Sequence, residues 1–389
     1  MVSPHPMKAP DPAHSPQFAV DWRAKLQAEW LLLLFTALAL ALALLDPQPL
    51  ATHGHWLQLP TLAGLMGLLI AIQGIRDSGL VQHAAVAVVA RAHSLRSLGL
   101  LLVCATALLS MGLTNDVSLF LIVPLTLAIG GISNLPVLRM VVLEALAVNA
   151  GSTLSPIGNP QNLLLWQHSS MPFLQFAAAM LPTAAVMFVL VAVFTLLWLP
   201  RDRIELTPDR IDGEPPSRRL GAWSAAALVG MVLLMEYHHA PLGAALLLVL
   251  FALLARSILA RIDWLLLLTF AAIFLGLGHF AELPLVRHAL DRLDFNQPLT
   301  LYAGGIVASQ LISNVPATVL LLDRTPDAIA LAIAVNVGGF GVAIGSLANL
   351  IALRLAKQPH GLRLLHLVSI PFLLVCAPLV YLVRYWPQA

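Results

Sequence analysis

One polar, helix-breaking passage occurs twice in this chain, each time inside apolar sequence. Val148–Leu163 (VNAGSTLSPIGNPQNL) aligns without a gap with Val335–Leu350 (VNVGGFGVAIGSLANL), sharing Val, Asn, Gly, Ile-Gly, Asn and Leu. A shorter pair precedes each copy: Leu113-Thr114-Asn115-Asp116-Val117 and Ile312-Ser313-Asn314-Val315-Pro316. In lipid every backbone N–H and C=O must be satisfied internally, so a helix that breaks at membrane depth has to be buried in protein or line a cavity. Paired breaks at corresponding places in two halves of a chain point to the binding site of a transporter.

Composition makes the membrane unavoidable. Hydrophobic residues are 59% of the chain and charged ones 10%, against about 25% charged in an average soluble protein. Trp30–Leu45 (WLLLLFTALALALALL) carries no charge and with its flanks reaches the roughly 20 residues a span requires. Similar runs leave no room for a separate soluble domain. The net charge of +2 gives no reason to expect nucleic acid as a partner. Cys104 and Cys376 both lie in apolar runs, which argues against a structural disulfide. The polar, Pro-rich start is too long and too mixed in charge for a signal peptide, so the first apolar run is read as a retained helix.

The length rule places helices at roughly 27–45, 58–75, 171–199, 221–236, 241–258, 263–279 and 364–385. Two further spans, about 137–168 and 327–356, carry the repeated break. Each is preceded by a hairpin, about 98–131 and about 298–323, hinged on the Thr-Asn-Asp or Ser-Asn-Val-Pro motif. The short second arm of the later hairpin favours a re-entrant loop over two spans. This arrangement puts Lys8, Arg23, Lys25, Arg76, Arg91, Arg96, Arg139, Arg201, Arg203, Arg210, Arg218, Arg219, Arg256, Arg261, Arg354, Lys357 and Arg363 on one side. Only Arg287, Arg292, Arg324 and Arg384 fall on the other. The basic side is therefore expected to be cytoplasmic, with the N-terminus inside and the C-terminus outside. A third match, Asp77–Ala84 with Glu282–Ala289, supports duplication.

The expected fold is an all-α polytopic membrane protein of two inverted repeats, each with a re-entrant hairpin and an interrupted transmembrane helix. A cytoplasmic tail (1–26) leads into the first repeat (27–199). A cytoplasmic linker (200–220) and an extra helix (221–236) precede the second, inverted repeat (241–389).

Interrupted helices expose free N–H groups at the start of one half and free carbonyls at the end of the other. The N-terminal ends suit an anion and the carbonyl ends a cation. Asn115, Asn149, Asn159, Asn162, Asn314, Asn336 and Asn349 offer amides to either. Thr114, Ser152, Thr153, Ser313, Thr318 and Ser346 add hydroxyls. Gly151, Gly158, Gly338 and Gly345 permit close backbone approach, and Pro156 and Pro316 remove donors that would close the helix. These residues form the expected substrate- and ion-binding set. Helix packing in membranes uses the same residue types; for an isolated Ser or Gly packing is the better reading, and for Asn beside matched breaks ligand contact is.

Asp116 joins the set as an ionisable group at membrane depth, where such groups are costly and usually functional. It can carry a proton or hold Na⁺ as a carboxylate, or else cap the returning arm in a wet vestibule. Glu144, five residues from Arg139, is explained as well by an internal ion pair as by transport. Asp77 and Glu282 read as interfacial caps, and His279 and the His238-His239 pair are weaker candidates. No His-Glu-x-x-His, Gly-x-Ser-x-Gly or phosphate-loop motif occurs, so neither a cofactor nor an enzyme activity is expected.

The segments LTNDVSLFLIVPLTLA, EALAVNAGSTLSPIGNPQNLLLW and ISNVPATVLLL…VNVGGFGVAIGSLAN resemble the ion transporter superfamily. That grouping includes divalent-anion/sodium symporters, citrate transporter-like permeases, arsenite-efflux permeases and a class of sodium/proton antiporters. The resemblance is strongest to citrate-transporter-like bacterial inner-membrane permeases and runs from about residue 58 onward. It implies a homodimer in which a transport domain slides against a scaffold. The symporters carry Ser-Asn-Thr at each hairpin tip, where this chain has Thr114-Asn115-Asp116 and Ser313-Asn314-Val315. The Asn-Asp tip is more similar to the arsenite permeases and favours protons over sodium. The reading is a secondary transporter of a small inorganic or organic anion coupled to H⁺ or Na⁺. The alternative is a cation/proton antiporter in which Asp116 is the exchanging site.

Overall fold

The computed structural model describes residues 29–89, 92–203 and 215–385. The tail 1–26 and part of the linker 200–220, with Lys8, Arg23, Lys25, Arg91 and Arg210, lie outside the described residues. Within them the chain is helical and forms no strand.

The first half comprises α1 (Trp30–Leu45), α2 (Leu50–Trp56), α3 (Leu59–Asp77), α4 (Leu80–Val89), α5 (Leu95–Leu113), α6 (Asn115–Ile132), α7 (Val137–Ser152), α8 (Pro160–Ser169) and α9 (Phe173–Trp198). Then follow α10 (Arg218–Glu236), α11 (Ala240–Leu254), α12 (Arg256–Leu259), α13 (Trp264–Glu282), α14 (Pro284–Asp291), α15 (Pro298–Ile312), α16 (Asn314–Leu321), α17 (Ala328–Val337), α18 (Leu347–Ala356) and α19 (Gly361–Tyr385). Single 3₁₀ turns occupy Leu322–Arg324 and Ala343–Gly345. Among the described residues, α3, α5, α9, α10, α13 and α19 are long and apolar enough to cross a membrane. This is an integral, all-α polytopic membrane protein.

Burial sorts the helices by role. Every residue of α7 from Met140 to Ser152 and of α17 from Ile329 to Val337 is buried. By contrast α9 and α19 present Leu174, Leu197 and Leu374 outward, as expected where lipid tails are the solvent. Helix α7 packs against α5, α6, α9 and α18, while α17 packs against α8, α15 and α16. A flanking group is formed by α1 against α13, and by α10 and α11 against α3.

Local chemistry explains the helix starts. Ser94 begins α5 with a capping box: its hydroxyl accepts from Ser97 N–H at 3.1 Å and its own N–H donates to Ser97 Oγ at 3.0 Å. That pair satisfies two donors left free at a helix start. Asn159 begins α8 by accepting from Asn162 N–H at 2.9 Å, and Pro160 follows at the first helical position, where no N–H is needed. The span expected at 241–258 is two pieces, because Ala255 leaves helical geometry at φ −155° between α11 and α12.

At the far end of α13, His279 Nε2 lies 3.2 Å from Asp46 Oδ2 and its ring stacks on Trp56 at 4.7 Å. Gln48 also donates to Asp46, at 2.9 Å. The His279 contact first and the Gln48 bond second hold the Asp46 carboxyl below its ordinary range. His279 thereby ties α13 to the end of α1. His238 and His239 stand at the end of α10, and no cluster of metal-ligating side chains occurs among the described residues.

Candidate functional site

Both hairpins turn on a single residue. Thr114 (φ 67°, ψ 153°) joins α5 to α6, and Ser313 (φ 80°, ψ 156°) joins α15 to α16. This region of backbone space is essentially reserved for glycine and costs a side-chain-bearing residue about 1–3 kcal/mol. The same strained geometry thus recurs at both matched tips. Each following Asn braces its own turn: Asn115 Oδ1 accepts from Asp116 N–H at 3.0 Å, and Asn314 Oδ1 accepts from Val315 N–H at 2.9 Å. The Thr114 and Ser313 hydroxyl oxygens are buried and have no hydrogen-bond partner among the described residues. Thr318 instead spends its hydroxyl on Asn314 C=O, at 2.8 Å.

The two breaks hold each other. Asn149 donates back to Ala145 C=O at 3.0 Å and across to Asn349 Oδ1 at 3.0 Å. Asn336 donates back to Ala332 C=O at 2.7 Å and across to Asn162 Oδ1 at 2.6 Å. Asn149 Oδ1 accepts from Ser346 Oγ at 2.9 Å, and Asn336 Oδ1 accepts from Asn159 Nδ2 at 2.9 Å. Aligned residues therefore make the same bond in each direction. Thr153 adds a bond to Asn336 Oδ1 at 3.3 Å. Asn162 Nδ2 reaches the carbonyls of Ser152, Thr153 and Ser155, and Asn349 Nδ2 reaches that of Gly339. Ser152 accepts from Asn159 and donates to Asn149 C=O. The amides of the breaks are thus spent on one another, where an unmade bond would be expensive.

The expected glycines serve close approach. A Cβ on Gly151 would lie 2.2 Å from Ala107 O, on Gly158 2.3 Å from Ser152 O, on Gly338 2.5 Å from Ser309 Cβ, and on Gly345 2.8 Å from Gly338 O. Pro156 lies in the first break and Pro316 in the first turn of α16, and both are buried. Tip and break meet where Asn115 N–H donates to Gly158 C=O at 2.8 Å.

Asp116 is set apart from this network. It is 8% exposed, and its Oδ1 has no partner among the described residues. It lines a cavity of about 400 Å³ with Gln73, Arg76, Arg261, Asp263 and Arg354, bounded by α3, α6, α13 and α18. Charges of both signs remote in sequence, Glu29 and Asp263 as well as the three arginines, are therefore close in space. Arg76 lies 5.3 Å over the Phe120 ring, and Arg261 pairs with Asp77 at 3.2 Å. A larger apolar pocket between α10 and α11, around Trp223 and Leu254, contains none of the site residues.

Glu144 does not pair with Arg139. Arg139 lies over the Trp198 ring at 5.7 Å, while Glu144, wholly buried, accepts from Thr126 Oγ1. Side chains at i and i+5 point to different faces of a helix, which separates the two. Glu282 lies 3.5 Å from Arg287, matching the acidic helix end at Asp77.

Other residues join the site from outside the expected set. A Cβ on Gly339 would lie 3.1 Å from Asn336 O, 3.4 Å from Asn314 Nδ2 and 3.6 Å from Asn149 Oδ1, so Gly339 sits between the second tip and the first break. Its signal was the Gly-Gly pair. Gln161 leaves Oε1 buried without a partner among the described residues; it lay inside the repeated passage but opposite an alanine. Gln310 donates to Gly338 C=O at 2.6 Å and Phe340 C=O at 2.7 Å. A lone amide near the end of an apolar run was its signal.

Apolar helices around buried breaks and strained hairpins define a polytopic membrane transporter, and sequence comparison agrees. The chain matches the citrate transporter family over residues 26–328 and belongs to it. It is similar to the inner membrane protein YbiR of Escherichia coli, 39% identical over 322 residues, covering 82% of this chain and 86% of that protein. An uncharacterized transporter of Methanocaldococcus jannaschii is 30% identical over 331 residues, 84% of this chain and 90% of its own. A silicon efflux transporter of rice is 27% identical over 157 residues, 40% of this chain and 32% of its own.

Proposed function

We propose that this protein is a secondary active transporter that moves a small anionic solute, coupled to H⁺ or Na⁺, between the two hairpin tips. The observation that carries the reading is the matched pair of strained tips with buried, unpartnered hydroxyls at Thr114 and Ser313. Strain of this kind persists where function requires it. Helices α6, α8, α16 and α18 begin at the tips and breaks, and their N-terminal ends supply positive potential with no cationic side chain in the amide network. Asn115 and Asn314 would present their Nδ2 groups to the solute. The cross-bonded amides of Asn149, Asn159, Asn162, Asn336 and Asn349 would hold the two halves in register around it.

The matched, reciprocal bonds support two repeats of inverted orientation, and the basic residues support a cytoplasmic face at the Arg76, Arg354 and Lys357 side. On this reading the N-terminus is inside, the C-terminus outside, and the protein works as a homodimer in a bacterial inner membrane. The cavity at Asp116 is then the cytoplasmic approach to the first tip.

A second reading is favoured by one feature, the unpartnered Asp116 Oδ1 in that cavity. There the protein is a cation/proton antiporter with Asp116 as the exchanging carboxylate. The test is a thermal-shift series on the purified protein with citrate as the anion, and with arsenite and silicate, uncharged hydroxides near neutral pH, as neutral comparisons, with and without Na⁺ and across pH. Ligand binding raises stability by mass action. An anion-dependent shift abolished by Ser313→Ala supports the first reading. A shift with Na⁺ alone, abolished by Asp116→Asn, overturns it in favour of the second.

A further inference from the structure

The second break is held differently from the first. Over Gly341–Ala343 the backbone leaves α17, and successive N–H groups are accepted by side chains of other helices. Gly341 N–H donates to Ser369 Oγ at 2.8 Å, Val342 N–H to Gln310 Oε1 at 2.9 Å, and Ala343 N–H to His366 Nε2 at 3.0 Å. Ser369 and His366 lie one turn apart on α19. At the matching place in the first break stands Pro156, aligned with Ala343, which has no N–H to satisfy. The strut from α19 is therefore peculiar to the second half.

A backbone N–H can only donate, so in this bond Nε2 carries the lone pair and the ring hydrogen sits on Nδ1. A protonated imidazole is a donor at both nitrogens and cannot accept. Ser369 and Gln310 accept at any pH; His366 alone among the three acceptors does not. The charged groups on the elements packed around α19 are engaged elsewhere. Helices α9 and α17 and the Ala343–Gly345 turn carry no titratable side chain. On α7, Arg139 faces Trp198 and Glu144 faces Thr126. Arg354 of α18 faces the Asp116 cavity. Arg363 lies one turn before His366 and lines the same outer groove. No carboxylate pairs with His366 among the described residues.

We propose that His366 is a proton-binding residue through which pH acts on the second helix break. Neutral, it fixes Ala343; protonated, it releases the Ala343–Gly345 turn beside Ser346, whose hydroxyl holds Asn149. The functional consequence rests on reading the tips and breaks as the solute site. The bond exists only with the neutral ring. Its contribution is therefore present while the ring is neutral and lost once the ring takes a proton.

The test is hydrogen–deuterium exchange on the purified full-length protein in lipid nanodiscs, at about pH 7.5 and about pH 5.5, either side of the value of about 6.5 at which a free imidazole ordinarily takes a proton. Rates are corrected for the intrinsic pH dependence of exchange. Protection of the peptide containing Ala343 is expected to fall about fivefold at the lower pH, the worth of one net hydrogen bond. The peptide containing Pro156 is the internal control and is expected to show no such change. His366→Gln, whose side-chain oxygen accepts at either pH, is expected to remove the pH effect. Unchanged protection in the parent protein, or the same loss in His366→Gln, overturns the proposal. If that variant does not fold, imidazole ¹⁵N shifts of the parent decide, and a proton on Nε2 at neutral pH overturns it. No readout here involves transport. A flat pH response overturns the strut and leaves the solute-site reading standing, whereas absent solute binding with an intact response does the reverse.

Discussion

Thr114 and Ser313 occupy backbone geometry that suits glycine, and their hydroxyls have no partner among the described residues. Stability alone would favour glycine at both places. Thr114→Gly and Ser313→Gly are therefore expected to keep or raise the thermal unfolding midpoint, by relief of about 1 kcal/mol of strain, while losing solute transport in proteoliposomes. Normal transport in both variants would show the hydroxyls to be idle. Asn336 differs, since its amide joins Asn159 and Asn162 of the other half. Asn336→Ala leaves buried partners unpaired and is expected to cost about 1–3 kcal/mol, seen as a lowered unfolding midpoint together with lost transport. Asp116 faces a cavity rather than the amide network. Asp116→Asn is expected to leave anion binding in place and to abolish the pH dependence of transport. Pumping that stays equally pH-dependent would place the proton elsewhere.

At the scale of helices, the breaks depend on glycine for contact as much as for conformation. Gly151 sits where a Cβ would lie 2.2 Å from the backbone oxygen of Ala107 on α5. Since α5 and α7 are packed along their length, neither can yield cheaply. Gly151→Ala is expected to destabilise the protein by about 1–3 kcal/mol, read as a lower midpoint and a smaller folded fraction on size exclusion. Gly339→Ala tests something else, because its Cβ would meet Asn336 O at a tight 3.1 Å and enter the space between Asn314 and Asn149 at 3.4 and 3.6 Å. A modestly lowered midpoint, smaller than that of Gly151→Ala, with weakened anion binding is the expected result.

The apolar runs and their interruptions could be read from the sequence because lipid leaves the backbone no alternative to helix except where protein buries the break. The Gly-Gly at Gly338 and the amide at Gln310 were visible too. Which neighbour each would meet was not, since that depends on helices more than twenty residues apart in sequence coming together, as Gln310 does with Gly338 and Phe340.

For the whole molecule, the distribution of Lys and Arg makes a claim that labelling can check. In a background without Cys104 and Cys376, single cysteines at Arg203 and Lys357 are expected to react only from the cytoplasmic face, and one at Arg292 only from the other. Reaction of all three from one face would remove the orientation and with it the inversion of the repeats.

The sequence by itself determined that this chain is an all-helical membrane protein with two matched sets of broken helices, because hydropathy and helix-breaking residues act locally. It could not determine who partners whom. Arg139 and Glu144, five residues apart in the chain, could be read as an internal ion pair or as part of transport; the helix turns one toward Trp198 and the other toward Thr126. Asp116 had no base near it in sequence, and packing of α3, α18 and the turn before α13 gives its cavity Arg76, Arg261 and Arg354 together with Glu29 and Asp263. The aligned asparagines looked like ligands awaiting an ion; the tertiary structure bonds them to each other across the two halves. Among the described residues it leaves the hydroxyls of Thr114 and Ser313, with Asp116 Oδ1 and Gln161 Oε1, as the site groups without a partner. The physical reason is common to all these cases. Satisfaction of a buried polar group is a property of its surroundings in space, and only the packing of distant helices supplies them.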